Sequence, residues 1–239
     1  VSEIWLNPVF LKWPSYDASG AYFDGTFTRS YELLERAGSF IQSDSSCEFD
    51  RGDCISWLKR SLNARLQLIE KSYNLSCIPN TKVKGAIELL ECFGLVKPMM
   101  LKELLIIRNN IEHNDVTPPS IEKCSEWLEL IWYFLRSTDE IAKNLKNIVS
   151  FDCYDDHSPK DTLEIEIEFG QSPMFKVHGE LSQFNYSNKV NNEWPCVKLS
   201  KKMELHISVG QQLSFNGELF IKDQHRVNLV KAALVGSHV

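Results

Sequence analysis

The sequence predicts an α+β fold, an N-terminal all-α helical bundle over residues 26–149 followed by a small antiparallel β-region over residues 150–239, and three observations predict it. Apolar residues recur at spacings of three and four through most of the first 150 positions, the period of helices that bury one face. Near Phe151 the texture changes, and "TLEIEIEF" after it alternates strictly, the period of a half-buried strand. A hydrophobic content of 43% with 11% aromatics in 239 residues is enough to bury one good core and a smaller second one.

Residues 1–25, "VSEIWLNPVFLKWPSYDASGAYFDG", combine aromatics with Pro and Gly without a stable period and predict an irregular aromatic arm. A first helix follows in "TRSYELLERAGSFIQ", with Tyr31, Leu34 and Ile41 on one side, and "SDSSCEFDRGD" breaks it. In "CISWLKRSLNARLQLIEKSYNL" the residues Ile55, Leu58, Leu62, Leu66 and Ile69 define a long amphipathic helix, with Asp53 as its N-cap. A shorter helix in "TKVKGAIELLECFGLVKP" is stopped by Gly94 and Pro98, and "MMLKELLIIRNNIEH" forms the next. Ser120 caps a long final helix through "IEKCSEWLELIWYFLRSTDEIAKNLKNIV". Beyond the polar joint "FDCYDDHSPKD", strands are predicted in "TLEIEIEF", "MFKVHGEL", "KMELHISVG" and "LSFNGELFI", the last split into a hairpin at Asn216-Gly217.

The formal charge of −6 and pI near 5.6 provide no global basic field for nucleic acid, so any polyanion contact must be local. No apolar run approaches the roughly 18 residues of a membrane span, and no signal pattern opens the chain; a cytoplasmic protein without membrane contact is the expectation. Seven cysteines without a C-x-x-C pair predict free thiols and no zinc site. Asp152, Asp155, Asp156 and His157 match metal ligands in composition but not in spacing and read as a solvated hinge. The absence of G-x-S-x-G and of a phosphate-binding loop leaves serine-hydrolase and NTPase readings without support.

The stretch "LLIIRNNIEHND", Leu104 to Asp115, carries the most chemistry. At about 100° per residue, Leu101, Leu104, Ile107 and Ile111 form a buried stripe with Arg108 at its shoulder. Asn109 and His113, at i and i+4, are neighbours on the outer face. An imidazole can take or return the proton of a ribose 2′-hydroxyl, and a guanidinium can hold a phosphate and its developing charge. The structural alternative is that Arg108 pairs with an acid such as Glu112 or Asp115, with His113 favoured by the negative end of the helix dipole.

Arg108-Asn109 followed by His113 resembles the R-x4–6-H signature of HEPN domains, and residues 26–149 resemble them in having helices before the motif and a long helix after it. The resemblance implies a metal-independent endoribonuclease without cofactor, in which Arg108, Asn109 and His113 are the catalytic residues. It also implies a homodimer with a composite site, RNA as substrate, and an antitoxin or other regulatory protein as a further partner in a bacterial conflict or antiviral defence system. Lys59, Arg60 and Arg65 on the second helix, with Asn110 beside the motif, are candidate RNA contacts, although a solvated polar face also accounts for the basic ones. A non-catalytic dimerisation module, whose β-region recognises a protein or ligand, is the alternative function.

Overall fold

The computed structural model describes residues 1–22, 26–42, 47–78, 83, 85–114, 116–153, 160–202 and 212–236. The chain divides into two compact units, a helical one of Ala21–Tyr73 and Val83–Leu145 and a second of Val1–Gly20, Asn74–Lys82 and Lys146–Val239. The fold is α+β, but strands precede the helical segment as well as follow it, and a helix follows the last described strand.

In the helical unit, α1 (Arg29–Ser39) and α5 (Ile121–Ser137) pack on the long α2 (Glu48–Tyr73), as does α4 (Pro98–Asn114), which also touches α3 (Ala86–Cys92). The α2 face carrying Ile55, Leu58, Leu62 and Ile69 is buried, as are Leu104, Trp127, Ile131 and Leu135 from its neighbours, which is the stripe that spacings of three and four require. Asp53 is not the N-cap expected of it. The helix starts earlier, and the Asp50 carboxylate accepts the Cys47 N–H at 2.8 Å, one half of a capping box. That bond holds the Asp50 carboxyl below the usual carboxylate range. Ser120 does cap α5, its Oγ accepting the Lys123 N–H at 3.3 Å. Gly94 ends the α3 segment at φ 75°, left-handed backbone for which glycine carries no Cβ penalty.

The final helix is shorter than predicted. It stops at Ser137, a single turn α6 (Asp139–Lys143) follows, and "NLKNIVSFDC" is strand β3 (Asn144–Cys153). The break coincides with a buried polar network. Arg65 on α2 has 0% side-chain exposure and pairs with Asp139 at 3.0 Å. It also donates to the Leu135 carbonyl at 3.1 Å, to Thr138 Oγ1 at 3.2 Å and to Ser30 Oγ at 3.2 Å. The other Asp139 oxygen accepts the Tyr31 hydroxyl at 3.0 Å. A buried guanidinium requires such acceptors, and the turn at Thr138 and Asp139 presents them. Cys54 and Cys124, both fully buried on α2 and α5, interact thiol to thiol, and this contact, with burial, pushes the Cys54 thiol up. All seven cysteines are free.

The second unit is built on an eight-stranded sheet. Its strands are β1 (Glu3–Leu6), β2 (Ser15–Tyr22), β3, β4 (Asp161–Glu168), β5 (Met174–Leu181), β6 (Tyr186–Ser187), β7 (Cys196–Leu199) and β8 (Leu213–Phe220). The spatial order is β2-β3-β4-β5-β8-β7-β1-β6. Alternation puts Leu163, Ile165 and Ile167 on the buried face beside Phe175, Val177, Phe215 and Val197. Helix α7 (Asp223–Val235), for which no helix was predicted, buries Leu229, Val230, Ala233 and Leu234.

Two further expectations are corrected. The aromatic arm is not irregular, because β1 pairs with β6 and β7 while β2 joins the edge beyond β3. Asn216-Gly217 is no turn. It lies within unbroken β8, Gly217 facing Val177 on one side and Leu199 on the other. A Cβ there would sit 2.3 Å from the Lys198 carbonyl oxygen, so glycine serves a close strand approach. The predicted strand "KMELHISVG" lies almost wholly outside the described residues. Among the described residues, no helix is long and apolar enough to cross a membrane.

Candidate active site

Helix α4 positions the motif. Leu101 and Leu104 are buried, while Ile107 and Ile111 are only partly covered, so the apolar stripe thins toward the C-terminal end where the polar residues begin. Against α2, Gly52 leaves room for this end, a Cβ built there lying 3.9 Å from Ile111 and 3.5 Å from Pro118.

Arg108 lies at the shoulder of the helix with 20% side-chain exposure. One terminal nitrogen donates to the Asn109 Oδ1 at 3.1 Å and the other pairs with the Glu112 carboxylate one turn on. The Nε is buried and has no hydrogen-bond partner. Asn109 thus holds the guanidinium from one side and Glu112 neutralises it from the other. Glu112 is the member that the motif does not contain; the i, i+4 spacing was its sequence signal. His113 is exposed and makes no hydrogen bond or ion pair to another described residue. Asn110 is half-buried, and its Oδ1 accepts the Asn114 side-chain amide at 3.2 Å. Arg108, Asn109, Asn110, Glu112 and His113 therefore share the last two turns of one helix.

The same helix exposes an apolar line beside these polar groups. Met99 is 76% and Ile106 59% exposed. Together with His113 they stand at i, i+7 and i+14, each about 20° from the next around the axis.

The basic candidates on α2 separate. Arg60 is exposed and Lys59 half-buried, and neither has an ion pair among the described residues. The Arg60 guanidinium stacks 4.6 Å from the centre of the Trp57 ring. Arg65 is corrected: with no exposed side-chain surface and its charge spent on Asp139, it cannot reach a solvent-borne phosphate. Of the predicted hinge residues, Asp152 pairs with Lys160 at 2.9 Å, and Asp155, Asp156 and His157 lie outside the described residues. No group of three or more His, Cys, Asp or Glu able to hold a metal occurs among the described residues.

In chemical terms the helix end offers one titratable imidazole in water, one oriented guanidinium and one carboxylate that competes for it. A single copy supplies only one proton-transferring group, whereas in-line displacement at phosphorus profits from a base and an acid on opposite sides. No protein-family model matches this chain, and comparison with the curated proteins and with the solved structures finds no match.

Proposed function

We propose that this protein is a metal-independent endoribonuclease of the HEPN type, acting as a homodimer and serving as a toxin or effector in a bacterial conflict or antiviral defence system. The observation that carries the reading is the meeting of Arg108, Asn109 and His113 at one helix end, with the guanidinium held by Asn109 and the imidazole open to a substrate. In the proposed reaction, His113 of one subunit takes the proton of a ribose 2′-hydroxyl. The 2′-oxygen attacks the adjacent phosphorus, and the P–O5′ bond breaks. The second copy of His113 returns a proton to the leaving 5′-oxygen, and Arg108 carries the charge that builds on the phosphoryl oxygens. A phosphate enters by displacing Glu112 from the guanidinium, an exchange between two anions on one fork of donors. The exposed line of Met99 and Ile106 beside His113 supports a two-fold contact along α4. The test is cleavage of RNA by the purified protein in excess EDTA. The expected products end in 2′,3′-cyclic phosphate, and RNA left intact under these conditions would contradict the reading.

The Arg108–Glu112 pair favours a second reading, a non-catalytic module that dimerises through its helices and recognises a protein or ligand with its sheet. Expression in a bacterial host separates the two. Toxicity relieved by Arg108→Ala or His113→Ala supports the nuclease, and harmless expression of the unaltered chain supports the module.

A further inference from the structure

The largest exposed aromatic side chains on α5 do not belong to the motif. Trp132 is 44% and Tyr133 63% exposed, and their rings meet edge to face with centroids 5.0 Å apart. They wall a groove of about 430 Å³ between α1 and α5. Its floor is Leu34 and Leu128, with Gly38 opposite Leu128, where even an added Cβ would only just touch the leucine at 3.8 Å. An apolar floor beside exposed aromatic rings is the composition of an interface centre.

Charge decides what fits there. Glu35 on α1 and Glu129 on α5 line the same groove, and both are exposed, with no ion pair among the described residues. No cation lines the groove among the described residues; the Arg136 guanidinium lies 5.6 Å from the Trp132 ring and also reaches Asp139 at 3.5 Å. A second copy docking here about a two-fold axis would bring both pairs of carboxylates into one contact, a like-charge arrangement that costs rather than stabilises. A cationic partner gains on three counts, from the two carboxylates, from the faces of Trp132 and Tyr133 and from apolar burial in the floor.

We propose that the α1–α5 groove is a docking site for a basic amphipathic helix of a partner protein, with leucine-like residues at i, i+3/i+4 and i+7 seated on Leu34, Gly38 and Leu128 and lysine or arginine beside Glu35 and Glu129. The inference goes beyond the ribonuclease reading and does not depend on chemistry at Arg108 or His113.

The test uses the full chain and two labelled 14-residue probe helices with the same leucine pattern, one with lysines at the polar positions and one with glutamates. Fluorescence anisotropy is expected to give binding of the lysine probe at least about tenfold tighter than the glutamate probe, and Trp132→Ala with Tyr133→Ala should weaken it by about tenfold or more. Both positions are solvent-facing, and circular dichroism checks that the bundle is retained. Glu35→Lys with Glu129→Lys, which removes no floor contact, is expected to reverse the preference in favour of the glutamate probe. Equal binding of the two probes, no binding of the lysine probe, or unchanged affinity in the aromatic variant would overturn the proposal. So would an aromatic variant that turns a dimer into a monomer in sedimentation, since that assigns the face to a second copy.

Discussion

Replacing Asp139 by alanine removes the only acid that pairs with the fully buried Arg65 guanidinium among the described residues. Asp139→Ala leaves Arg65 with three neutral acceptors, the Leu135 carbonyl, Thr138 Oγ1 and Ser30 Oγ, and leaves the Tyr31 hydroxyl without its 3.0 Å acceptor. Breaking a buried ion pair from one side costs about 3–5 kcal/mol, because the remaining charge has no solvent. The neutral acceptors on Arg65 place the expected loss at the lower end, about 3 kcal/mol. At roughly 2–4 °C per kcal/mol for a chain of this size, the helical unit should melt about 6–12 °C lower in a thermal scan followed by helical circular dichroism. A second variant isolates the cause. Arg65→Met together with Asp139→Ala removes both charges and should recover most of the loss, since paired charges replaced by apolar groups are often neutral for stability. A shift below about 2 °C in the single variant, or a double variant no more stable than it, would refute the assignment of this network as the lock between α2 and the α5–α6 turn.

Tyr31 should ionise above the ordinary tyrosine range, because burial and then the Asp139 carboxylate disfavour the phenolate. A group whose folded pKa is raised stabilises below its unfolded pKa and loses that contribution as pH rises through the folded value, so stability should fall above about pH 10, less steeply in Tyr31→Phe; identical slopes would contradict this. Ile106→Glu places a carboxylate in the exposed α4 line and should weaken the proposed dimer on the order of 100-fold in sedimentation equilibrium, with RNA cleavage falling in parallel; an unchanged dimer would move the interface elsewhere. Thiol titration of the native protein should modify the exposed Cys47 first and leave the buried Cys54 and Cys124 protected until unfolding; early reaction at either would contradict their burial.

The helices and strands with an unambiguous period were legible in the sequence. The alternation from Asp161 to Glu168 and from Met174 to Leu181 became β4 and β5 in register, and Ser120 and Gly94 mark boundaries through local backbone chemistry. Signals that depend on distant partners were not legible. The four residues of β1 find their neighbours at Tyr186–Ser187 and Cys196–Lys198, and nothing within "SEIWL" announces that pairing. In β3, a polar Asn147 occupies an inward position before Val149 and Phe151, which hides the alternation and lets the helical pattern run on. Arg65 reads as surface charge because its partner is 74 positions away. The motif depended on one helix alone, so the inboard place of Arg108 and the outward place of Asn109 and His113 followed from the helical period. The Glu112 contact followed only as one of two acids within reach.

The most direct measurement for the central reading is single-turnover cleavage of a labelled RNA in excess EDTA by the unaltered protein and by His113→Ala, compared at equal secondary structure by circular dichroism. Because His113 is exposed at the helix end, its removal leaves the packing of α4 on α2 in place. The unaltered protein is expected to cleave, and the variant to be slower by about 10²–10⁴-fold, the contribution of a positioned proton-transfer group. A folded His113→Ala that cleaves at the original rate would contradict it.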